Sequence, residues 1–259
     1  MASRHRILNL LHKIRNPQPV DNFVEVDERL QSKNPTQLLY DTGVGVGFMT
    51  LRKNTCDQIL KHLIRMVQKR DYTTNVEGLS RPQNRLDVEL PPHGYCWSVL
   101  QRILQSWKKD PTSPWNRFKK RGVEPQIVEF SILGSTPGSK NQMWHKDHGG
   151  GYGKLISFGI PLIDVQDIHG PTECIPRGLN QTKYKRKPFR IRARRGQLYA
   201  WDGGMTHRGT KNNSRMIRPI FMFSLCSRGS LAQMHMLYRV SGAAWLRYLS
   251  FTVFPSLCG

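Results

Sequence analysis

The chain has 259 residues, which is enough for one large domain with a buried core. Its apolar fraction of 38% is ordinary for a globular protein, and no stretch approaches the roughly 20 apolar residues of a transmembrane helix. Lys and Arg number 40 against 18 Asp and Glu, a formal net charge of +22. That charge predicts an anionic partner or substrate, with a surface that is basic only for solubility as the alternative.

The cysteines are five in number and never form a CxxC pair: Cys56, Cys96, Cys174, Cys226 and Cys258. An odd, scattered set argues against a disulfide framework and against structural zinc. The sequence therefore predicts an intracellular protein of a reducing compartment, cytoplasmic or organellar.

The first predicted unit is a basic N-terminal arm, residues 1–35, before a single domain at 36–259. The arm has no signal-peptide hydrophobic core, but its first 15 residues lack acidic side chains and place apolar ones at helical spacing. These apolar residues are Ile7, Leu10, Leu11 and Ile14. A targeting peptide, a surface helix and a disordered arm all fit this pattern.

Next in chain order come a strand at 48–51, a helix beginning at Asn54 or Thr55, and a second helix at 98–108. From residue 126 the sequence pattern changes to short apolar runs separated by Gly- and Pro-rich turns. We expect strands at 127–133, 155–163, 196–201 and 216–225. Short strands of this kind predict an all-β barrel or sandwich, with the earlier helices packed outside it.

A possible metal site stands out in residues 142–147, where His145 and Asp147 are two positions apart. Side chains at this spacing on a strand project to the same side, so both can reach one metal ion. His207 is the best third ligand. Two histidines and one carboxylate on one face of a metal leave positions open, which suits non-haem iron(II) oxygenases.

Several motifs occur in an order that resembles the phytanoyl-CoA dioxygenase-like branch of the 2-oxoglutarate dioxygenases, from about residue 130 to 225. A Pro-Gly-Ser turn at 137–139 precedes Gln142 and the His145/Asp147 pair, and a Gly-Pro-Thr-Glu-Cys-Ile-Pro motif occupies 170–176. His207 is followed by Asn212, Ser214 and then Arg218, eleven residues after the histidine.

This resemblance implies a mainly β fold, a double-stranded β-helix of the jelly-roll or cupin-like type with flanking N-terminal helices. It also implies Fe(II), 2-oxoglutarate as co-substrate and O₂, with iron held by His145, Asp147 and His207. Arg218 would clamp the distal carboxylate of 2-oxoglutarate through a bidentate pair, with Arg215 as the fallback. Gln142 is a further expected contact of the co-substrate.

Two positions depart from the family pattern. The family often has a hydroxyl two residues after the distal histidine, where this chain has Gly209, so that either Thr210 substitutes or the contact is absent. The family's Pro-Gly-Ser/Thr-His segment is also altered, at residues 176–180. That segment borders the active site in the family, and we therefore expect substrate handling to differ.

The resemblance implies hydroxylation of a small organic substrate, anionic or lipid-like, while 2-oxoglutarate is converted to succinate and CO₂. Halogenating relatives replace the carboxylate ligand with a small residue, whereas this chain keeps Asp147. Two alternatives stay open: oxidation of a nucleic acid or another polyanion, and a non-catalytic binding protein that retains the fold. No segment of the sequence calls for an obligate protein partner.

A basic insert at residues 177–195 carries no acidic side chain. Its position in the sequence predicts a place near the active-site mouth, where it would attract an anionic substrate. A solvated, mobile hairpin is the competing interpretation. Tyr184 and Phe189 within it could stack on bases, although no nucleic-acid motif is present.

Overall fold

The computed structural model of the chain describes residues 4–14, 34–69, 85–147, 153–177 and 188–227. The three candidate metal ligands and all the predicted strands fall within these ranges. Outside them lie the arm from residue 15 to 33, part of the basic insert with Tyr184, and residues 228–259, which include Cys258.

Within the described residues, nine strands form two antiparallel sheets. A six-stranded sheet has the order β1-β7-β4-β9-β3-β2, and a three-stranded sheet has the order β6-β5-β8. The strands are β1 (Val44–Thr50), β2 (Arg85–Glu89), β3 (Pro125–Ser135), β4 (Leu155–Pro161), β5 (Thr172–Cys174), β6 (Phe189–Ile191), β7 (Gln197–Asp202), β8 (His207–Gly209) and β9 (Arg218–Ser227). Over much of the second half of the chain, consecutive strands alternate between the two sheets. This arrangement belongs to the jelly-roll class that the sequence predicts.

Alternation along β9 shows how the large sheet is buried on both faces. Ile220 and Met222 belong to an apolar cluster that also contains Cys174 and Ile191 from the small sheet. This cluster fills the interior between the two sheets. Phe221, Phe223 and Leu225 of β9 point to the opposite face and join the helices in a second, larger cluster. The whole of β4 is buried for the same reason.

The helices cover the outer face of the large sheet. They are α1 (Arg4–Lys13), α2 (Pro35–Thr42), α3 (Lys53–Lys69), α4 (Gly94–Lys109) and α5 (Pro114–Lys120). The apolar faces of α3 and α4 are fully or almost fully buried in the larger cluster. They include Ile59 and Leu63 of α3, and Leu100 and Ile103 of α4. This layer matches the predicted helices packed outside the sheet.

The N-terminal segment forms a helix at the spacing of its apolar residues. Leu11 and Ile14 are completely buried, and α1 packs against α3. These contacts stabilise α1 as part of the helical layer. The predicted boundary between arm and domain at residue 35 stays a prediction, because residues 15–33 lie outside the described part.

Four cysteines within the described ranges are buried and form no disulfide with one another, namely Cys56, Cys96, Cys174 and Cys226. Burial raises the pKa of the Cys96 thiol to about 12, so this thiol stays protonated and unreactive at neutral pH. None of the described helices is both long enough and apolar enough to cross a bilayer.

Candidate metal centre

The segment that carries His145 and Asp147 runs alongside β8. His145 and His207 exchange both backbone hydrogen bonds, with N···O distances of 3.0 and 2.9 Å, and form an antiparallel bridge. The Asp147 amide donates to the carbonyl of Gly203 at 2.8 Å. Two histidines that are distant in sequence therefore stand directly opposite each other, and their side chains project to the same face.

The three predicted ligands come together. Asp147 Oδ1 lies 3.5 Å from His207 Nε2 and 3.9 Å from His145 Nε2. One ligand atom from each residue falls within 4.8 Å of the others, and among the described residues this is the only such group of three or more. The His145, Asp147 and His207 side chains are 19%, 14% and 5% exposed, so the centre is largely shielded from solvent.

Hydrogen bonds orient all three ligands. His145 Nδ1 donates to the Met143 carbonyl at 2.8 Å, and His207 Nδ1 donates to the Met205 carbonyl at 2.9 Å. A carbonyl can only accept, so in the neutral rings the hydrogen sits on Nδ1 and the lone pair on Nε2. The Trp201 indole donates to Asp147 Oδ2 at 3.3 Å, and Oδ1 is then the oxygen on the histidine side.

These atoms fit a metal ion. Bonds of roughly 2.0–2.2 Å to nitrogen and oxygen place neighbouring ligand atoms about 3 Å apart. The observed 3.5 and 3.9 Å are within about one ångström of that separation, which small side-chain rotations remove. Two imidazoles and one carboxylate on one side leave the other coordination positions open to small ligands.

Arg218 and its fallback, Arg215, differ sharply in position. Arg218 begins β9, is 4% exposed and faces the interior between the sheets, whereas Arg215 is exposed. The Arg218 guanidinium donates through Nη1 to the Gly170 carbonyl, and its Nε has no hydrogen-bond partner in the described structure. Burial lowers the pKa of Arg218, which means that the interior disfavours this cation unless an anion joins it.

Gln142 and Thr210 both have defined structural contacts. Gln142 Oε1 accepts a hydrogen bond from the Gly209 amide at 2.7 Å and so helps to hold the segment against β8. The Thr210 hydroxyl donates to the Pro171 carbonyl at 2.7 Å. The buried Asn212 donates to the carbonyls of Ser135 and Met216, and it shapes the turn between β8 and β9. Roles of Gln142 and Thr210 in co-substrate binding stay predictions.

The described part of the basic insert is mostly engaged with carboxylates. Arg177 pairs with Asp202 at 3.0 Å, and Arg195 pairs with Asp57 at 2.5 Å. Further pairs are Arg190 with Glu173 and Asp167, and Arg192 with Asp167. The Arg192 hydrogen bonds hold the pKa of Asp167 below its usual range. These arginines stabilise the fold, and the hypothesis of a substrate funnel now depends on residues 178–187, outside the described ranges.

Phe189 does not face solvent as base stacking requires. It is 6% exposed and packs in the interior cluster with Ile191 and Cys174. Alternation along β6 turns Phe189 and Ile191 inward and Arg190 outward. The expectation that Phe189 stacks on a nucleic-acid base is therefore wrong.

Sequence reasoning missed one residue of this region, Arg85. It begins β2 and reaches across to β8, where its Nη2 donates to the carbonyls of Gly209 and Thr210 at 3.0 and 2.9 Å. The alternation Arg-Leu-Asp-Val-Glu at 85–89 is a signal for a strand with Arg85 on its polar face. Nothing in that pattern, however, indicates a contact with residues more than 120 positions away.

Taken together, the fold and the three side chains define a cupin-like jelly roll with a centre of two histidines and one carboxylate. No family model and no curated protein sequence matches the chain. The resemblance to the phytanoyl-CoA dioxygenase-like branch thus rests on the motifs alone.

Solved structures, in contrast, show the same fold. AviO1 from Streptomyces viridochromogenes Tue57 superposes with a TM-score of 0.54 at 14% identity, over 80% of this chain and 98% of that one. SnoK, a non-haem α-ketoglutarate-dependent carbocyclase from nogalamycin biosynthesis, gives 0.56 at 12% identity, over 84% and 92%. HygX from Streptomyces hygroscopicus, solved with nickel and 2-oxoglutarate bound, gives 0.55 at 11% identity, over 79% and 88%. At such identities the likeness establishes the fold.

Proposed function

We propose that this protein is an Fe(II)- and 2-oxoglutarate-dependent oxygenase. The observation that carries the proposal is the joint placement of His145, Asp147 and His207 in one cluster, with the buried Arg218 in the same interior. Similar folds include HygX, which binds 2-oxoglutarate with nickel, and SnoN, which was solved with Fe³⁺ and α-ketoglutarate. Pure binding would not require a metal triad and an uncompensated arginine together.

Iron bound here with 2-oxoglutarate would supply oxygen activation, with succinate and CO₂ as the products of the co-substrate. The residues of the chain would bind the metal and the co-substrate and hold them in a fixed orientation. The two histidines present Nε2 because Nδ1 is committed to backbone carbonyls, and Trp201 holds the second oxygen of Asp147. Arg218 would bind the distal carboxylate of 2-oxoglutarate, because a guanidinium in a water-poor interior binds an anion strongly.

We propose hydroxylation as the reaction, since Asp147 occupies the ligand position that halogenating relatives leave to a small residue. The fold itself also serves a carbocyclase and an epimerase, and it does not select among these outcomes. Product mass distinguishes them. A gain of one oxygen atom supports hydroxylation, whereas loss of two hydrogens or an unchanged mass contradicts it.

The proposed substrate is a small anionic molecule. A cavity of about 440 Å³ is lined by Tyr40, Arg117, Lys120, Arg121, Gly153 and Arg177. The buried Tyr40 hydroxyl has no hydrogen-bond partner in the described structure, and burial raises its pKa to about 12, so it remains a donor. Arg177 is already paired with Asp202, but Arg117, Lys120 and Arg121 together with the Tyr40 hydroxyl favour a phosphate or carboxylate ligand.

This basic cavity is connected to the metal ligands through two consecutive residues of β7. Asp202 accepts hydrogen bonds from the Gly153 amide and from Arg177 at 2.7 and 3.0 Å. The preceding residue, Trp201, donates to Asp147. Consecutive side chains of a strand point to opposite faces, so Trp201 faces the interior with the metal ligands and Asp202 faces the helical side. A substrate whose non-reacting end is anchored in the cavity would therefore reach the metal around the end of β7.

A substrate screen tests the anionic assignment. Phosphorylated and carboxylated metabolites are compared with neutral analogues for their ability to stimulate succinate formation. We expect stimulation by anions only, weakened by salt and by Arg121→Gln, because exposed charges are screened. Stimulation by neutral compounds that is insensitive to both changes would contradict the assignment.

The oxygenase proposal is tested by succinate formation from 2-oxoglutarate in iron-loaded protein exposed to air. Wild-type protein is compared with Asp147→Ala, which removes one ligand and leaves the two histidines. We expect succinate from the wild type and none from the variant. A wild-type protein that forms no succinate and binds neither iron nor 2-oxoglutarate would contradict the proposal and favour a non-catalytic binding role.

A further inference from the structure

A second buried arginine lies beside Arg218 in the interior. Arg85 of β2 pairs with Ser135 of β3, and Ser135 pairs in turn with Arg218 of β9. Directly paired residues of neighbouring antiparallel strands share one face. Arg85, Ser135 and Arg218 therefore form one row across three strands, with the two arginines about 10 Å apart at their backbones.

Arg85 is held by backbone carbonyls rather than by a carboxylate. Its Nη2 donates to the carbonyls of Lys140, Gly209 and Thr210 at 3.1, 3.0 and 2.9 Å. Its Nε is buried and has no partner among the described residues, as is also true of Arg218. These bonds hold the guanidinium against β8, near the strand end that follows His207.

Gly209 shows which space Arg85 occupies. Gly209 lies two positions after His207 on β8, and its side-chain direction is therefore that of the metal ligand. A Cβ at this position would meet Arg85 Nη1 and Gln142 Oε1 at 2.7 Å each, and the Arg85 guanidinium carbon at 3.0 Å. The guanidinium of Arg85 stands where a side chain of residue 209 would point toward the centre.

The charges of Arg85 and Arg218 favour the binding of an anion between them. Burial, followed by the positive charge of Arg218, lowers the pKa of Arg85 to about 9. Neither arginine forms an ion pair with a carboxylate of the described residues, unlike the outward-facing arginines of the small sheet. Two buried cations side by side destabilise the empty protein, and a bound carboxylate would relieve both.

We propose that Arg85 is a second binding residue for the distal carboxylate of 2-oxoglutarate, acting beside Arg218 in the place left open by Gly209. This inference rests on the proposed oxygenase function. Gly209 has no hydroxyl to offer the co-substrate. Arg85, which is far away in the sequence, would make the contact with the carboxylate in its place. Thr210 is the weaker substitute, because its hydroxyl hydrogen is directed to Pro171.

The test compares two ligands on anaerobic Fe(II)-loaded protein by calorimetry and by the visible absorption of the chelate. 2-Oxoglutarate carries the distal carboxylate, and 2-oxopentanoate has the same 2-oxo acid end without it. For Arg85→Met we expect 2-oxoglutarate to bind roughly 10- to 100-fold more weakly, as for a lost hydrogen bond to a charged group. Binding of 2-oxopentanoate should be unchanged. The exposed Arg102→Met is the matched control and should alter neither ligand.

A second set of variants approaches the same contact from Gly209, which serves if Arg85→Met folds poorly. Gly209→Ala keeps every charge but pushes a methyl group into the Arg85 guanidinium and against Gln142 Oε1. We expect it to weaken the binding of 2-oxoglutarate and to leave the binding of 2-oxopentanoate unchanged. In the double variant Arg85→Ala/Gly209→Ser, a serine fills the vacated space with a hydroxyl. It should bind 2-oxoglutarate more tightly than Arg85→Ala.

The outcomes separate this inference from the proposed function. If Arg85→Met binds 2-oxoglutarate as the wild type does, while Arg218→Met does not, the inference is wrong and the oxygenase proposal stands. Equal weakening of both ligands in Arg85→Met and Gly209→Ala would make Arg85 a structural residue and also overturn the inference. Wild-type protein that binds neither ligand would contradict the oxygenase proposal itself.

Discussion

Arginines on the two sides of the small sheet have different hydrogen-bond partners. On its outer face Glu173 receives Arg208 at 2.7 Å and Arg190 at 3.1 Å, and the strand register places these three residues side by side. In the interior, Arg85 and Arg218 donate to carbonyl groups and have no carboxylate among their described partners. The outer charges are paired within the fold, whereas the inner charges have no counter-charge among the described residues.

This difference explains why the net charge was a poor guide to the site. The many cations of the basic insert predict a place where an anionic substrate is attracted. However, Arg190, Arg192 and Arg195 are paired with acidic residues within the fold. Of the two interior arginines, the motifs predict Arg218 but not Arg85. What distinguishes them is burial without a counter-charge, which only the three-dimensional structure reveals.

The largest expected effect follows from removing the inner charge at Arg218. Arg218→Met should weaken 2-oxoglutarate binding by about 100-fold, because a buried, charge-assisted contact is lost at a cost of up to about 3 kcal/mol. The unfolding free energy of the ligand-free protein should not fall as it does for a broken ion pair. Calorimetric titration of metal-loaded protein measures the first effect and urea unfolding the second.

The matched variant is Arg215→Met, three residues away and exposed. It should leave binding unchanged. Loss of affinity in Arg215→Met but not in Arg218→Met would show that the fallback residue clamps the co-substrate.

A smaller effect is expected at the indole that orients a metal ligand. Trp201→Phe keeps an aromatic ring but removes the hydrogen bond to Asp147 Oδ2. Metal affinity should fall about tenfold, as is typical for groups that orient ligands. A titration with Fe(II) or Ni(II) measures it.

Trp107→Phe, in the helical cluster, controls for the loss of a buried indole ring. It should reduce stability without changing metal affinity. Equal loss of metal affinity in both variants would indicate a general packing effect instead.

On the outer face of the small sheet, the informative variant is Glu173→Gln. This change removes the carboxylate that pairs with Arg190 and Arg208 and should lower the unfolding free energy by about 1 kcal/mol. The loss is modest because both arginines keep access to water. Affinity for 2-oxoglutarate should be unchanged in titrations, and a clear drop in affinity would break the distinction between the two faces.

The smallest expected effect concerns pH. Burial, followed by the positive charge of Arg218, lowers the pKa of His169. The unfolded chain therefore binds a proton at higher pH than the folded one, and stability is lost as pH falls below about 6.5. His169→Gln should flatten the dependence of Tm on pH between 7.5 and 5.5. An unchanged slope would show that other groups dominate it.

The predictable parts of the structure depended on short-range patterns. The spacing of His145 and Asp147, the later His207 and the position of Arg218 all agree with one interior site. The long strands and two long helices were expected from their periodicity. Strands β5, β6 and β8 have three residues each, too few for a detectable pattern. The contact between Arg85 and Gly209 spans 124 residues and follows from topology alone.

We expect one interior site to hold both Fe(II) and 2-oxoglutarate, and a single anaerobic titration tests this expectation. Fe(II) is added to the protein with 2-oxoglutarate, and the visible charge-transfer absorption of the chelate is followed. We predict saturation at one iron per chain, loss of the signal in Asp147→Ala, and a much higher 2-oxoglutarate requirement in Arg218→Met. A wild-type protein that develops no such absorption and binds no metal would contradict the account.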